Sequence, residues 1–340
     1  MITGSSIFSK RLGIELKKYD LPNYIIINPA KNQSHLLKKS CLKVARLDGC
    51  SYIKFSLENL SNFLNLRKQI NLPEFKNFCQ SSYYLDKILN HYLNRYNNYT
   101  IKYCDKIIFQ SHLSKKMHLK FIGNNNILKN TIINNGAPKN FKTSNDIKAN
   151  DNSFPNIVIT ANFRPVKRLK DAILLINYLS YQYKKILLHV VGSVDPLTNK
   201  EISKLDCSRV KFYGELKQED LDIIYKNCDI GLSLCLYDAC PNSVVEMMAT
   251  GLPVITTKIS GAFELLDYNN FFGVTEKIDM KYTPLQTISR LPEISYDSWS
   301  KKIVSIIENK QKYRILIKEI FEKNLEINII AKKYAEFISE

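Results

Sequence analysis

The sequence predicts an α/β protein of two tandem domains, each with a mostly parallel sheet covered by helices. Short apolar runs alternate with amphipathic runs along the chain, which is typical of parallel sheets with helices on both faces. The length of 340 residues fits two ordinary domains better than one core. A polar stretch without periodicity, KNFKTSNDIKANDNS, separates two predicted strands and resembles a linker.

Each predicted element follows from its residue pattern. Short β-branched and aliphatic runs predict strands, whereas apolar residues at helical spacing predict helices. We predict a first domain over 1–138, a linker over 139–155 and a second domain over 156–325. The predicted strands cover 23–28, 41–46, 106–111, 156–162, 185–192, 210–216, 229–236 and 252–257, and 130–138 is predicted to be a strand followed by a turn. The predicted helices cover 83–96, 113–122, 169–183, 218–228, 241–250 and the last forty residues.

The charge is strongly basic, with 49 Lys and Arg against 32 Asp and Glu and a formal net charge of +17. A basic surface attracts nucleic acid, anionic membranes or phosphorylated substrates. Compositional drift in a chain rich in Lys and Asn is the alternative explanation. Neither zinc-finger spacing nor an RNA-binding sheet signature is present, so we expect no nucleic acid partner.

The eight cysteines contain no Cys-x-x-Cys pair, which argues against a zinc site and a disulfide framework and favours a reducing compartment. The sequence opens on no signal peptide, and no run approaches the roughly twenty apolar residues of a membrane span. We therefore expect a cytoplasmic protein that is soluble or peripheral on the inner face of the membrane.

The stretch LYDACPNSVVEMMATGLPVITT carries one acid in a loop, Asp238, and another in a helix, Glu246. Pro241 suits the first turn of that helix and Gly251 the position just after its end. Glu246 shares a small polar stripe with Asn242 and Ser243, which is either a solvated helix face or a face towards a cleft. In a cleft, the helix start would bind phosphate, Glu246 would accept hydrogen bonds from hydroxyls such as those of ribose, and Asp238 would meet the reacting part of the ligand.

A second candidate site is ANFRPVKRLKD, where Arg164, Lys167, Arg168 and Lys170 crowd the start of a helix. Cations at a helix N-terminus oppose the helix dipole. A diphosphate bound among them would remove the conflict, and general lysine richness is the alternative.

Two weaker signals lie in the first half. TGSSIFSKRL places small residues before an amphipathic helix, a weak phosphate-loop pattern. ARLDGC carries Arg46 and Asp48, which form either a turn or a polar tip in the cleft. Because ligands of parallel sheets sit at the carboxyl ends of the strands, the loops after Asn162, Gly192, Gly214 and Leu236 should face one site.

These motifs resemble the retaining glycosyltransferases of family 4, which have the GT-B fold. The resemblance covers 156–266 and includes the Arg-x-x-Lys loop, VVG, FYGEL, CPNSVVEMMATGLPVITT and GAFELL. The signature Glu-x7-Glu stands here as Asp238-x7-Glu246. In the first half, GSSIFSKRL, RLDG, IIFQSHLSKKM and IINNGAP match more loosely and are similar to runs in enzymes that build bacterial surface polysaccharides.

The resemblance implies two Rossmann-like domains whose parallel sheets face across a cleft, with a helix over about 326–340 packed back on the first domain. It also implies transfer of a sugar from a nucleotide-diphosphate sugar to a hydroxyl of a glycan or lipid-linked acceptor, with retained configuration. By this resemblance, the donor diphosphate would be held by Arg164 and Lys167, and from the other domain by Gly4 and Ser5. The ribose would be bound by Glu246, and the rest of the nucleotide would be contacted by Gly192, Tyr213, Gly214 and Leu216. The donor sugar and its phosphate would be held by Asp238, Asn242, Ser243 and Val244.

The chain departs from the family at two places. Asp238 is one methylene shorter than the family glutamate. Only Met1 and Ile2 precede Thr3 where family members have a full strand, so either the start is truncated or the first sheet lacks that strand.

No metal and no other cofactor is expected, since the lone Asp-x-Asp, Asp220 and Asp222, sits in a helical pattern. His118 and Asp48 are the candidates on the acceptor side, together with Arg46. A basic surface could also touch anionic membrane lipids. The alternatives are a truncated or inactive nucleotide-sugar-binding protein, a sugar-nucleotide epimerase or phosphorylase of the same architecture, and a basic nucleic-acid binder.

Overall fold

The computed structural model describes residues 4–27, 36, 39–47, 103–122, 129–139, 155–236, 238–266, 272–275 and 293–340. Within these ranges the strands form two sheets, and neighbouring strands in each sheet run parallel. The predicted α/β class is therefore confirmed. The predicted helix over 83–96, nearly all of the predicted linker and Asp48 lie outside the described residues.

The first sheet has the strand order β1-β2-β3-β4. Helix α1 comes before β1, and helix α2 lies between β3 and β4. Val44, Ala45 and Ile108 are fully buried because helices or loops cover both faces of the sheet. The bounds are α1 Gly4–Leu16, β1 Tyr24–Ile27, β2 Leu42–Leu47, β3 Lys106–Phe109, α2 His112–Ile122 and β4 Lys129–Ile132.

The second sheet has the order β10-β9-β8-β5-β6-β7, so its first strand lies in the middle. The chain runs outward from β5 through β6 to β7 and then returns to the other side of β5 with β8. The strands are β5 Asn156–Thr160, β6 Leu187–Val191, β7 Val210–Gly214, β8 Ile230–Ser233, β9 Val254–Thr257 and β10 Gly273–Val274. The helices between them are α3 Leu169–Leu179, α4 Pro196–Ile202, α5 Gln218–Asn227, α6 Asn242–Ala249 and α7 Gly261–Leu266.

Three helices close the chain, and the last of them packs against the first helix. The bounds are α8 Tyr296–Glu308, α9 Lys310–Asn324 and α10 Ile327–Ser339. Phe8 of α1 and Tyr334 of α10 have ring centroids 6.5 Å apart and share one apolar cluster. Ala137, after β4, donates to the carbonyl of Leu325 and accepts from Ile327 N–H. The end of the chain is thereby joined to the first sheet.

Within the described ranges, no helix combines the length and apolar character needed to cross a bilayer. In the same ranges, no three His, Cys, Asp or Glu side chains cluster in a way that could hold a metal ion. The six cysteines found there are all free thiols.

Lys106 secures α10 from within the first sheet, and its replacement is a test of that docking. Its buried Nζ donates to the carbonyls of Phe337 and Ile338, both at 2.8 Å. We expect Lys106→Met to lower the free energy of unfolding by roughly 1–3 kcal/mol, since two carbonyls lose a charged donor. Urea denaturation measures this, with Lys129→Met as control because Lys129 pairs with Glu340 at the exposed surface. Equal losses for the two variants would contradict the role of Lys106.

Candidate active site

The strand order indicates where a ligand would bind, at the carboxyl ends of β5 and β8. The order in which the chain adds strands reverses at β5, with β6 and β7 on one side and β8 on the other, and such a switch point leaves a crevice between the loops that follow the neighbouring strands. The loop after β5 carries Arg164 and Lys167, and the loop after β8 carries Asp238. The two motifs that the sequence analysis singled out therefore meet at one edge of the sheet.

Lys167 and Asp238 form an ion pair across this crevice, with Nζ 2.5 Å from Oδ2. About a fifth of each side chain is exposed, at 19% and 21%. Burial disfavours the charged ammonium, but the adjacent carboxylate of Asp238 outweighs it and raises the pKa of Lys167. Lys167 therefore stays protonated, and any anion that enters must compete with or share its bond to Asp238.

The four cations that follow β5 were predicted to crowd together at the start of a helix, but the structure separates them. Arg168 has a left-handed backbone, with φ 61°, and its buried guanidinium donates from Nε to Asp171 at 2.7 Å. Lys170 is exposed to solvent. Arg164 and Lys167 remain half-buried, at the two ends of a 3-10 turn closed by the bond from Lys167 N–H to Arg164 C=O. Arg168 thus binds Asp171, whereas Arg164 and Lys167 stay at the predicted diphosphate position.

Asp238 is fixed by the loop that follows β9. Its backbone carbonyl accepts from Gly261 N–H at 2.7 Å and from Ser260 Oγ at 3.4 Å. A Cβ at Gly261 would lie 1.9 Å from the carbonyl oxygen of Ala239, so no larger residue fits there. The start of α7 therefore sets where the loop carries the Asp238 carboxylate.

Helix α6 begins at Asn242, one residue later than predicted, because Pro241 keeps an extended backbone and precedes the helix. The carbonyl of Pro241 accepts from the N–H groups of Val244 and Val245. The Val244 amide, expected to hold donor phosphate, is thus occupied in this structure. Asn242 and Ser243 are half-buried in the first turn, where N–H groups have no carbonyl within the helix to receive them.

Glu246 is buried, which rules out the solvated helix face that was one of its two interpretations. Only 7% of the residue is exposed, and Oε1 accepts from Arg11 Nη1 of α1 at 3.0 Å. Burial raises the pKa of the Glu246 carboxyl, and Arg11 opposes this shift. Arg11 also donates to Gln218 at 3.2 Å, which in turn donates to Asp222 at 3.0 Å. Asp222 and its neighbour Asp220 lie inside helix α5.

The predicted nucleotide-base residues line the ends of β6 and β7. Tyr213 stacks on His189 and joins its hydroxyl to His189 Nδ1 at 2.8 Å. Burial, and then Lys211, lowers the pKa of His189. Gly192 has φ 123°, and a Cβ there would lie 1.9 Å from the Ala161 carbonyl oxygen, so β6 can end this close to β5 only with glycine. Gly214 is exposed and Leu216 half-buried.

The predicted residues of the first domain lie in different environments. Gly4 is the first residue of α1, and the side chain of Ser5 lies outside the described part. Arg46 is buried, with its guanidinium 4.5 Å from the Phe8 ring centroid and Nη2 2.8 Å from Asn135 Oδ1. His118 is also buried, with Nδ1 2.8 Å from the Ser114 carbonyl. In this structure, neither the His118 ring nor the Arg46 guanidinium is exposed to an acceptor substrate.

Two further cross-domain contacts were missed by the sequence analysis, besides that of Arg11. Asn135, which follows β4, bonds to Cys240 and Asn242 beside α6. Glu264 of α7 accepts from the backbone N–H groups of His112 and Leu113, at 2.6 and 2.7 Å, and so caps helix α2. Their motifs, IINNGAP and GAFELL, were noted, but no local pattern indicates which partners they meet.

Comparisons with known proteins give one family match and several solved structures with a similar fold. Residues 140–280 match the family model described as Glycosyl transferases group 1. HepE from Anabaena, solved with UDP and glucose, is 18% identical, with 98% of this chain and 81% of that chain covered and a TM-score of 0.60. Sucrose-phosphate synthase from Thermosynechococcus elongatus is 13% identical over 99% and 79%, with a TM-score of 0.65. The chain has the GT-B fold.

TarM from S. aureus, solved as a variant with fondaparinux, alpha-GlcNAc-glycerol and UDP, shares the fold as well. It is 12% identical to this chain, with 93% of this chain and 55% of that chain covered and a TM-score of 0.62. A search of curated proteins finds no match. The family match and the fold together support a GT-B glycosyltransferase.

Proposed function

We propose that the chain is a retaining, metal-independent glycosyltransferase of family 4 that moves a sugar from a nucleotide-diphosphate sugar to a hydroxyl acceptor. The observation that carries this is the meeting of Lys167, Asp238 and the first turn of α6 at the switch point of the second sheet. A cation and a helix N-terminus at one crevice suit a diphosphate. Glu246, about one turn further along the same helix, suits the ribose hydroxyls.

The chemistry needed is stabilisation of charge on the departing diphosphate. As the bond between the sugar and the diphosphate breaks, negative charge grows on the phosphate oxygens. Arg164, Lys167 and the backbone amides of Asn242 and Ser243 would stabilise that charge from fixed positions, which is commonly the largest catalytic effect of such sites. These groups supply positive charge without a metal, and this is why we propose none.

In the proposed complex, the donor competes with two ion pairs. Glu246 is bonded to Arg11 and Asp238 to Lys167. A ribose that bonds to Glu246 must share or replace the Arg11 guanidinium, and a phosphate that bonds to Lys167 must weaken its bond to Asp238. Binding of the donor is therefore coupled to the contact between α1 and α6.

The identity of donor and acceptor is inferred from relatives. UDP is present in the HepE and TarM structures, which makes uridine the first base to test. For the acceptor we propose a glycan or lipid-linked glycan in surface-polysaccharide synthesis. The basic surface suits peripheral contact with anionic lipid on the cytoplasmic side.

The experiment is a turnover assay with UDP-glucose, UDP-GlcNAc and their GDP and ADP counterparts, with and without lipid-linked and soluble glycan acceptors. We expect nucleoside diphosphate to be released only when acceptor is present. We also expect the product linkage to keep the donor's anomeric configuration by NMR, and chelator to leave the rate unchanged. Interconversion of sugars without acceptor would identify an epimerase, and binding without any release would identify a nucleotide-sugar-binding protein.

A further inference from the structure

Asn135 is a buried amide that joins the first sheet to the start of helix α6. Its Nδ2 donates to the Cys240 carbonyl at 2.9 Å and to Asn242 Oδ1 at 2.8 Å. Its Oδ1 accepts from Arg46 Nη2 at 2.8 Å. Its backbone N–H points at Cys240 Sγ, 3.3 Å away, and only 2% of the residue is exposed.

These contacts permit a single orientation of the Asn135 amide. Both N–H bonds meet acceptors and the oxygen meets a guanidinium, which can only donate. If the amide were reversed, its N–H₂ group would face the Arg46 donors and its oxygen would face the Cys240 carbonyl. The charge of Arg46 therefore fixes which end of Asn135 is presented to Asn242.

The orientation of Asn135 passes on to Asn242. Because Asn242 Oδ1 is held by Asn135, the N–H₂ end of the same side chain must point elsewhere. Asn242 is half-buried and is the first residue of α6, beside the first-turn amides. An anion at this helix start needs donors, and hydrogen bonds to a charged group are the strong ones.

We propose that Asn135 is a positioning residue for the donor: it holds Asn242 so that an N–H₂ group, rather than an oxygen, faces the phosphates at the start of α6. This inference rests on the proposed function and deepens it. Arg46 has a defined part as well, because it fixes the orientation of Asn135 from the acceptor-side domain without touching the donor.

Asn135→Asp tests the proposal with almost no change in volume. The new carboxylate still accepts from Arg46 but cannot donate to Asn242, whose amide then reverses and presents its oxygen to the phosphates. We expect the affinity for the nucleoside diphosphate to fall about tenfold to a hundredfold, the effect of losing a hydrogen bond to a charged group. Calorimetric titration with UDP, GDP, ADP and CDP measures it.

Asn134→Asp is the matched control. Asn134 is the adjacent residue, and its Nδ2 donates to the Gln110 carbonyl at 2.7 Å within the first domain. The same substitution there should leave nucleotide affinity unchanged within about twofold. A general effect of added negative charge would lower both affinities and would overturn the proposal.

Dependence on Asn242 separates positioning from a purely structural role. In an Asn242→Ala background, Asn135→Asp should no longer change the affinity, although it still changes the melting temperature. If the loss persists in that background, the proposal is wrong. Asn135→Ala is a second variant should Asn135→Asp not fold; we expect a smaller loss, of several-fold, because the freed Asn242 amide then samples both orientations.

Titration of the wild-type protein separates failure of the proposed function from failure of the role of Asn135. If wild-type protein binds none of the four nucleotides, the proposed function is overturned and this inference with it. If wild-type protein binds one of them and Asn135→Asp binds it equally well, the inference alone is overturned.

Discussion

Glu246→Ala is expected to weaken nucleotide binding by about tenfold to a hundredfold, because the ribose hydroxyls lose a charged acceptor. It should also destabilise the protein, since Arg11 keeps only Gln218 as a described partner in a largely buried position. Calorimetric titration measures the affinity and urea denaturation the stability. Glu219→Ala is the control, because Glu219 lies exposed on neighbouring helix α5.

The double variant Arg11→Met/Glu246→Ala separates these two effects. Removing the cation that has lost its carboxylate should restore part of the lost stability, since no largely buried charge is then left without its ion-pair partner. Nucleotide affinity should stay low, because the carboxylate is still missing. If affinity returns together with stability, Glu246 serves only to hold Arg11, and its assignment to the ribose is wrong.

Lys167→Met is expected to lower kcat by about a hundredfold to a thousandfold, the usual effect of removing one preorganised group that stabilises a developing negative charge. Lys167 is the cation already held in the crevice, 2.5 Å from Asp238. The change acts on the transition state, so kcat should fall more than KM for the donor rises. Steady-state assays with the donor identified by the turnover screen measure both constants.

Lys170→Met is the matched control for Lys167, since it removes an exposed lysine three residues along the same segment. It should leave both constants within about twofold, as expected for a surface position away from the site. A kcat for Lys167→Met that equals that of Lys170→Met would remove Lys167 from the diphosphate site and weaken the proposed mechanism.

The fold was predictable because its signals are local. Strands such as Ile157 to Ile159 are buried on both faces, so they appear in the sequence as unbroken apolar runs. Pro241 and Gly251 mark the ends of α6 to within a residue. Pro241 lies just before the first helical residue, and Gly251 adopts φ 71° just after the end of the helix.

The contacts between the halves were not predictable from local pattern. Arg11 and Glu246 are 235 residues apart, and Asn135 and Asn242 are 107 apart. Nothing in either neighbourhood encodes the partner. The inward turn of Arg168 depends likewise on a left-handed backbone and on Asp171, which composition does not reveal. Types of residue could thus be assigned to the site, whereas their pairing required the structure.

The measurement that tests the central claim most directly is the melting temperature of the purified chain in UDP, GDP, ADP and CDP. We expect one nucleotide to raise the melting temperature, with UDP the first candidate, since a ligand at a hundredfold excess over Kd stabilises the folded state by roughly 3 kcal/mol. Glu246→Ala should lose that shift at the same concentration. No shift with any of the four nucleotides would contradict the account, because a nucleotide-sugar cleft that binds no nucleotide has no donor to transfer.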